Sequence, residues 1–200
     1  MKTMIAVPCM DVMASEFTFA LLNMDTVGDV VYEKEIGSLI YNARNNLLKK
    51  AMDEGYDRIL WFDSDVIMPP ETMRLLSEDL DNGCGIVSGI YKKRKPPFTP
   101  TIFSECEIMQ IAPDQLLPLH TPYTDYPKDS IFEIAACGFG CVMMDMAAVK
   151  QITDKYGKMP FMPVGGFGED LSFCMRAKKA DVKIYCDSRF ECGHLGYKVF

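Results

Sequence analysis

Two hydrophobic repeats alternate along the first half of the chain. Residues 3–8 and 58–62 are short runs with almost no polar break, as is Gly85 to Tyr91. Runs of this length read as strands buried on both faces, that at 58–62 in the middle of a parallel sheet. Between the first two lie a helix at about 14–24 and a strand at about 29–36. A longer helix then runs from Leu39 to Glu54 and ends at Gly55. Its apolar stripe is Ile40, Ala43, Leu47, Leu48, Ala51 and Met52. Another helix follows Pro69-Pro70-Glu71, with Met73, Leu76 and Leu80 on one face. Strand and helix patterns that alternate in this way predict an α/β fold, one mixed sheet with helices on both faces.

The second half is less regular. Residues 96–130 carry seven prolines and little periodicity, and read as a variable loop with short strands. Residues 131–137 return to strand character until Gly138-Phe139-Gly140 interrupts it; glycines in a strand mark a bulge or a close approach of backbone. The strand resumes at 141–144 and a helix follows at 146–156. A glycine-rich loop, 164–168, leads into a helix that Glu169 and Asp170 open and that runs to about Lys179. A last strand spans 182–186, and a turn at 191–196 carries His194.

Composition narrows the function classes. Two hundred residues suit one domain, 1–200, with a sizeable core. The net charge of −7 argues against a nucleic-acid partner, which needs a broad basic face. The eight cysteines form no CxxC pair, which points to buried, reduced thiols in a cytoplasmic protein. No run reaches the ~20 apolar residues of a membrane span. Residues 134–149 come nearest, and Asp145 breaks them. The N-terminus lacks the apolar core of a signal peptide.

The candidate chemistry begins where the strand at 58–62 ends, in Asp63-Ser64-Asp65. Ligands of open α/β sheets bind beyond the carboxyl ends of the strands. Two acids one residue apart repel each other unless a cation joins them, and hard oxygen ligands suit Mg²⁺ or Mn²⁺ carried on a phosphate. Solvated turn acids are the plainer alternative. Arg44 has Ile40, Leu47 and Leu48 as helical neighbours, so it points into the apolar stripe. A buried guanidinium needs an anion: a structural carboxylate such as Asp63, or a nucleotide diphosphate. The dense basic run Lys92-Lys93-Arg94-Lys95 is a solvated loop or a cover for a diphosphate. Glu169 and Asp170 cap their helix electrostatically or do chemistry there. His194 is one of only two histidines.

Four ordered marks, Ala43-Arg44-Asn45, Asp63-Ser64-Asp65, Gly168-Glu169-Asp170 and the late His194, together resemble the GT-A glycosyltransferases, in particular the family-2-like sugar transferases. The resemblance spans most of the chain and implies a Rossmann-like GT-A fold. It implies a nucleotide-sugar donor, with UDP as the commonest carrier, and a carbohydrate or other hydroxyl acceptor. It makes Asp65 and His194 ligands of Mn²⁺ or Mg²⁺, and Asp63 a ligand or a contact to the donor ribose. It makes Asp170, with Glu169 beside it, the base that takes the acceptor's proton, and an acid there implies inversion. Pro8, Met10 and Asp11 would hold the nucleoside, Arg44 and Ser64 would lie against the donor, and Gly138, Phe139 and Gly140 would line the sugar pocket. The chain is short for the family and shows no separate acceptor-binding domain.

Two other classes share parts of this pattern. In a haloacid-dehalogenase-like phosphatase Asp63 would be the nucleophile, although that motif stands on the first strand and here earlier strands and helices precede it. A non-catalytic sugar- or nucleotide-binding module on the same fold would use Asp170 only as a helix cap.

Overall fold

The computed structural model describes residues 1–37 and 39–196. Its centre is a seven-stranded sheet in the order β2-β1-β3-β10-β5-β11-β8. The strands in chain order are β1 (Lys2–Cys9), β2 (Asp29–Ile36), β3 (Arg58–Phe62), β4 (Val66–Ile67), β5 (Ile86–Ile90), β6 (Ile102–Ala112), β7 (Gln115–Pro122), β8 (Ile131–Ile134), β9 (Ala136–Cys137), β10 (Cys141–Asp145), β11 (Ile184–Glu191) and β12 (Gly193–His194). The helices are α1 (Ser15–Leu22), α2 (Ile40–Asp53), α3 (Thr72–Asp81), α4 (Met146–Tyr156) and α5 (Glu169–Lys179). Strands β2, β1, β3, β5 and β11 share one direction, while β10 and β8 oppose them. The sheet is therefore mixed and mostly parallel. Strand β3 lies in its middle, but only β1 flanks it in parallel; its other neighbour, β10, is antiparallel.

Alternate residues of the central strands enter two cores. Met4, Ala6, Ile59, Trp61, Val142 and Met144 face the side covered by α2, α4 and α5. Ile5, Val7, Leu60, Phe62, Cys141 and Met143 face α1 and α3. This is why the runs carry no polar break: each residue is buried on one face or the other, and each large side chain contributes roughly 1.5–3 kcal/mol. All eight cysteines are free thiols, seven of them buried. No helix among the described residues is long and apolar enough to cross a membrane.

The region 96–130 differs most from expectation. It holds a long antiparallel hairpin, β6 with β7, which joins β9 in a three-stranded sheet of its own. Most of β6 beyond Cys106, and most of β7, is solvent-exposed on both faces. Without one buried face the strands need no alternating pattern, so the sequence showed none. The strand expected at 131–137 is two strands, β8 in the central sheet and β9 against β6, divided at Ala135. The last strand runs on to Glu191 instead of stopping at 186, because the buried acid Asp187 is neutralised within the strand by Arg189, with Nε to Oδ1 at 2.9 Å.

Candidate active site

The chain leaves β1, adds β2 on one side, then crosses to place β3 on the other. The crevice at such a reversal is where open α/β sheets bind ligands. Here the loops after β1 and β3 lie side by side and enclose a cleft of about 280 Å³. Pro8, Cys9, Met10, Gly37 and Ile40 form one part of its lining, and Arg44, Asp63, Ser64, Asp65 and Glu169 the other. Six of the residues expected at the donor site thus meet around one cavity, with Glu169 beside them. Asp11 does not line it.

Arg44 sits near the start of α2, at the carboxyl edge of the sheet, and is 2% exposed. Its Nη2 donates to Asp63 Oδ1 at 2.7 Å, and its Nε to Glu169 Oε1 at 3.4 Å. The guanidinium carbon lies 5.6, 5.5 and 6.0 Å from the ring centres of Trp61, Phe139 and Phe161. Arginine therefore joins the acids of two distant loops over an aromatic floor. The structural carboxylate foreseen for it is Asp63. Its Nη1 has no partner among the described residues. The neighbours of Arg44 explain the rest of that triplet: Ala43 is buried in the helix face, and Asn45 Oδ1 accepts from Phe161 N at 3.1 Å.

Asp65 looks the other way. The short pair β4–β12 sets His194 opposite Val66, the residue after Asp65. Leu195 N also donates to the Asp65 carbonyl at 2.8 Å. His194 Nε2 faces Asp65 Oδ1 at 3.6 Å, and the ring's Nδ1 lies 2.7 Å from the Lys92 carbonyl. That carbonyl can only accept, so Nδ1 carries the proton and Nε2 is presented to Asp65, the arrangement common for metal-bound histidines. The facing carboxylate raises the His194 pKa against the effect of burial. Burial pushes the Asp65 carboxyl up, but His194 and Arg94 outweigh it and hold the group below its ordinary value. Arg94 Nη1 lies 2.8 Å from Asp65 Oδ2. Among the described residues no three His, Cys, Asp or Glu side chains surround a point that could hold a metal ion. A carboxylate and an imidazole nitrogen suit Mn²⁺ or Mg²⁺ when waters or phosphate oxygens complete the shell. Asp63 is committed to Arg44 and takes no part in the Asp65–His194 pair.

Asp170 follows Glu169 at the N-terminus of α5, where the helix dipole favours acids. Its Oδ1 accepts from Leu171 N at 2.7 Å, a free N–H of the first turn, while the N-cap position itself is Gly168. Burial nevertheless pushes its pKa up to about 6, with the Glu169 charge adding to the rise. A carboxyl poised there can both hold and release a proton near neutral pH. The loop before it needs its glycines: Gly165 and Gly166 have φ of 61° and 89°, and a Cβ on Gly165 would meet the Ile108 side chain at 2.1 Å. The hairpin and the loop before α5 are thereby packed together.

Gly138, Phe139 and Gly140, expected against the donor sugar, do not line this cleft. A Cβ on Gly138 would stand 2.3 Å from Tyr91 Oη, and one on Gly140 2.7 Å from the same ring. The glycines admit the buried Tyr91, whose hydroxyl accepts from Gly140 N at 3.0 Å, and Phe139 is 1% exposed in the floor beneath Arg44. Tyr91, Arg94, Trp61 and Phe161 belong to the site and were not singled out from sequence. The run Lys92-Lys93-Arg94-Lys95 was the one available signal, for Arg94. With Asp63, Asp65, Tyr91, Thr101 and His194, residues 93–95 line a second cleft of about 460 Å³ that shares both acids with the first.

No protein-family model and no curated protein matches the chain. Solved structures do. "A197 from STIV" superposes with a TM-score of 0.68 at 16% identity, over 98% of this chain and 87% of that one. "GalNAc-T7 with UDP, GalNAc and Mn2+" superposes with a TM-score of 0.65 at 9% identity, over 99% of this chain and 43% of that one. At such identities the likeness concerns the fold: the mostly parallel α/β sheet flanked by helices is similar to that of a GT-A glycosyltransferase structure.

Proposed function

We propose that the chain is a metal-dependent glycosyltransferase. It would move a sugar from a nucleoside-diphosphate donor, most simply a UDP-sugar, to a hydroxyl acceptor with inversion. The observation that carries this reading is the division of labour between Asp63 and Asp65. One is neutralised by Arg44, and the other stands beside a correctly oriented His194 at the rim of a cleft. The neighbour solved with UDP, GalNAc and Mn²⁺ supports it.

Asp65 and His194 Nε2 would hold Mn²⁺ or Mg²⁺. Such an ion, when bound, stabilises the charge on a departing diphosphate. Pro8, Met10 and Ser64 would bound the nucleoside. Asp170 would take the proton of the acceptor hydroxyl on Oδ2, since Oδ1 already accepts from Leu171 N. The acceptor oxygen then bonds the anomeric carbon as the bond to the diphosphate breaks. The phosphatase alternative needs Asp63 free to attack, and its Oδ1 is tied to Arg44 at 2.7 Å. A binding module alone would release no UDP from a nucleotide sugar, so released UDP separates it from an enzyme.

The test is a thermal shift with UDP, with and without Mn²⁺. Asp65→Ala should unfold at the parent temperature without ligand and lose the Mn²⁺-dependent rise given by UDP. Equal stabilisation of parent and variant would remove the metal from the account.

A further inference from the structure

We propose that Arg94 is a donor-binding residue that exchanges partners: it holds Asp65 while the site is empty and passes to the donor's diphosphate when a divalent cation takes Asp65. The inference rests on the reading of the site given above. Arg94 Nη1 and Asp65 Oδ2 are 2.8 Å apart, on the carboxylate that also faces His194. Arg94 holds Oδ2 and His194 faces Oδ1, so a divalent ion between Asp65 and His194 would stand one carboxylate's width from the guanidinium, and like-charge repulsion favours the departure of Arg94. Arg94 can leave readily. Its side chain is 49% exposed and that of Asp65 32%, and pairs this exposed shift an equilibrium by only up to roughly five-fold.

Arg94 stands on the loop between β5 and β6. The loop closes on itself through a bridge between Lys92 and Pro100, with Lys93 N to the Thr99 carbonyl at 2.9 Å and Phe98 N to the Lys95 carbonyl at 2.9 Å. One end is anchored: the Lys92 carbonyl accepts from His194 Nδ1, and Lys92 Nζ pairs with Glu191 at 2.7 Å. His194 therefore stays oriented when Arg94 swings away. Lys93, Arg94 and Lys95 all line the second cleft, in a chain whose net charge is −7. Three cations gathered beside two acids suit an anion held next to the ion, and the guanidinium fork matches two phosphate oxygens at once.

The two partners give the test opposite signs. Mn²⁺ affinity without nucleotide, read from the free-ion paramagnetic resonance signal, should tighten about two- to five-fold in Arg94→Gln. UDP affinity at saturating Mn²⁺, read by calorimetry, should weaken by roughly ten-fold or more in the same variant, the usual effect of losing a charge-assisted hydrogen bond. Lys95→Gln removes the same charge from the loop without a contact to Asp65, and should leave Mn²⁺ affinity nearly unchanged. Changes of the same sign in Arg94→Gln, or an equal Mn²⁺ effect in Lys95→Gln, would overturn the exchange. If the parent binds Mn²⁺ and Arg94→Gln binds it equally, this inference fails and the glycosyltransferase reading stands. If neither binds Mn²⁺, both fall.

Discussion

Asp170→Asn is expected to lower sugar transfer by roughly 10²–10⁴-fold while leaving donor affinity close to that of the parent. Asn keeps a side-chain oxygen for the Leu171 N–H but cannot take a proton at neutral pH. The parent rate, at saturating donor and metal, should climb as pH rises through about 6 and then level, because the ionised form is the base. That limb should vanish in the variant. Stability should move the opposite way. The folded-state pKa lies above the ordinary 3.8, so folding favours the protonated acid. This contribution is fully present below about pH 4 and is lost as pH rises through about 6. At pH 8 Asp170→Asn should therefore be more stable than the parent, by roughly 1–3 kcal/mol, and the gain should disappear below pH 4. Denaturant melts at both pH values check the second half, and an initial-rate profile the first. A variant that transfers at the parent rate would reduce Asp170 to a helix cap.

Arg44→Met should be the most damaging substitution for the fold around the site. The methionine fills part of the space over Trp61, Phe139 and Phe161, but Asp63 and Glu169 lose their shared cation. The acids left behind are part-exposed, so the cost is below that of a fully buried pair, about 2–3 kcal/mol, which for a chain of this length lowers the melting temperature by roughly 5–10 °C. Arg44 also opposes the rise in the Asp170 pKa, so any remaining activity should have its alkaline-rising limb shifted to higher pH. Arg44→Lys keeps the charge without the fork and should recover part of the stability but not the link between both acids. Melting curves of the two variants decide the point. A loss below 1 kcal/mol in Arg44→Met would mean that the acids find water instead.

The parts of this architecture that bury one face or both were legible in the sequence. The unbroken runs gave β1, β3 and β5 nearly to the residue, and the stripe on α2 put Arg44 inward beside Asp63. Residues whose partners lie far along the chain were not legible. Tyr91 reads as an ordinary strand end, and only the structure shows its ring under Gly138 and Gly140. The pairing of β12 with β4 involves two residues on each side, too few to leave a pattern, yet it is what brings His194 to Asp65. Arg94 was hidden in a run whose usual meaning is solvation. The hairpin β6–β7 was hidden because both its faces meet water over most of its length. The order of the four motifs, rather than any one of them, carried the resemblance to a sugar transferase, and the cleft between β1 and β3 supplies a physical reason for that order.

Asp65 and His194 are proposed to hold a divalent ion on the donor's diphosphate. The most direct measurement is anomalous diffraction at the manganese edge from crystals grown with UDP and Mn²⁺. A single strong peak about 2.1 Å from both an Asp65 carboxylate oxygen and His194 Nε2, with diphosphate density beyond it and Arg94 drawn off Asp65, is the predicted result. Clear UDP density in the cleft with no manganese between Asp65 and His194 would contradict it.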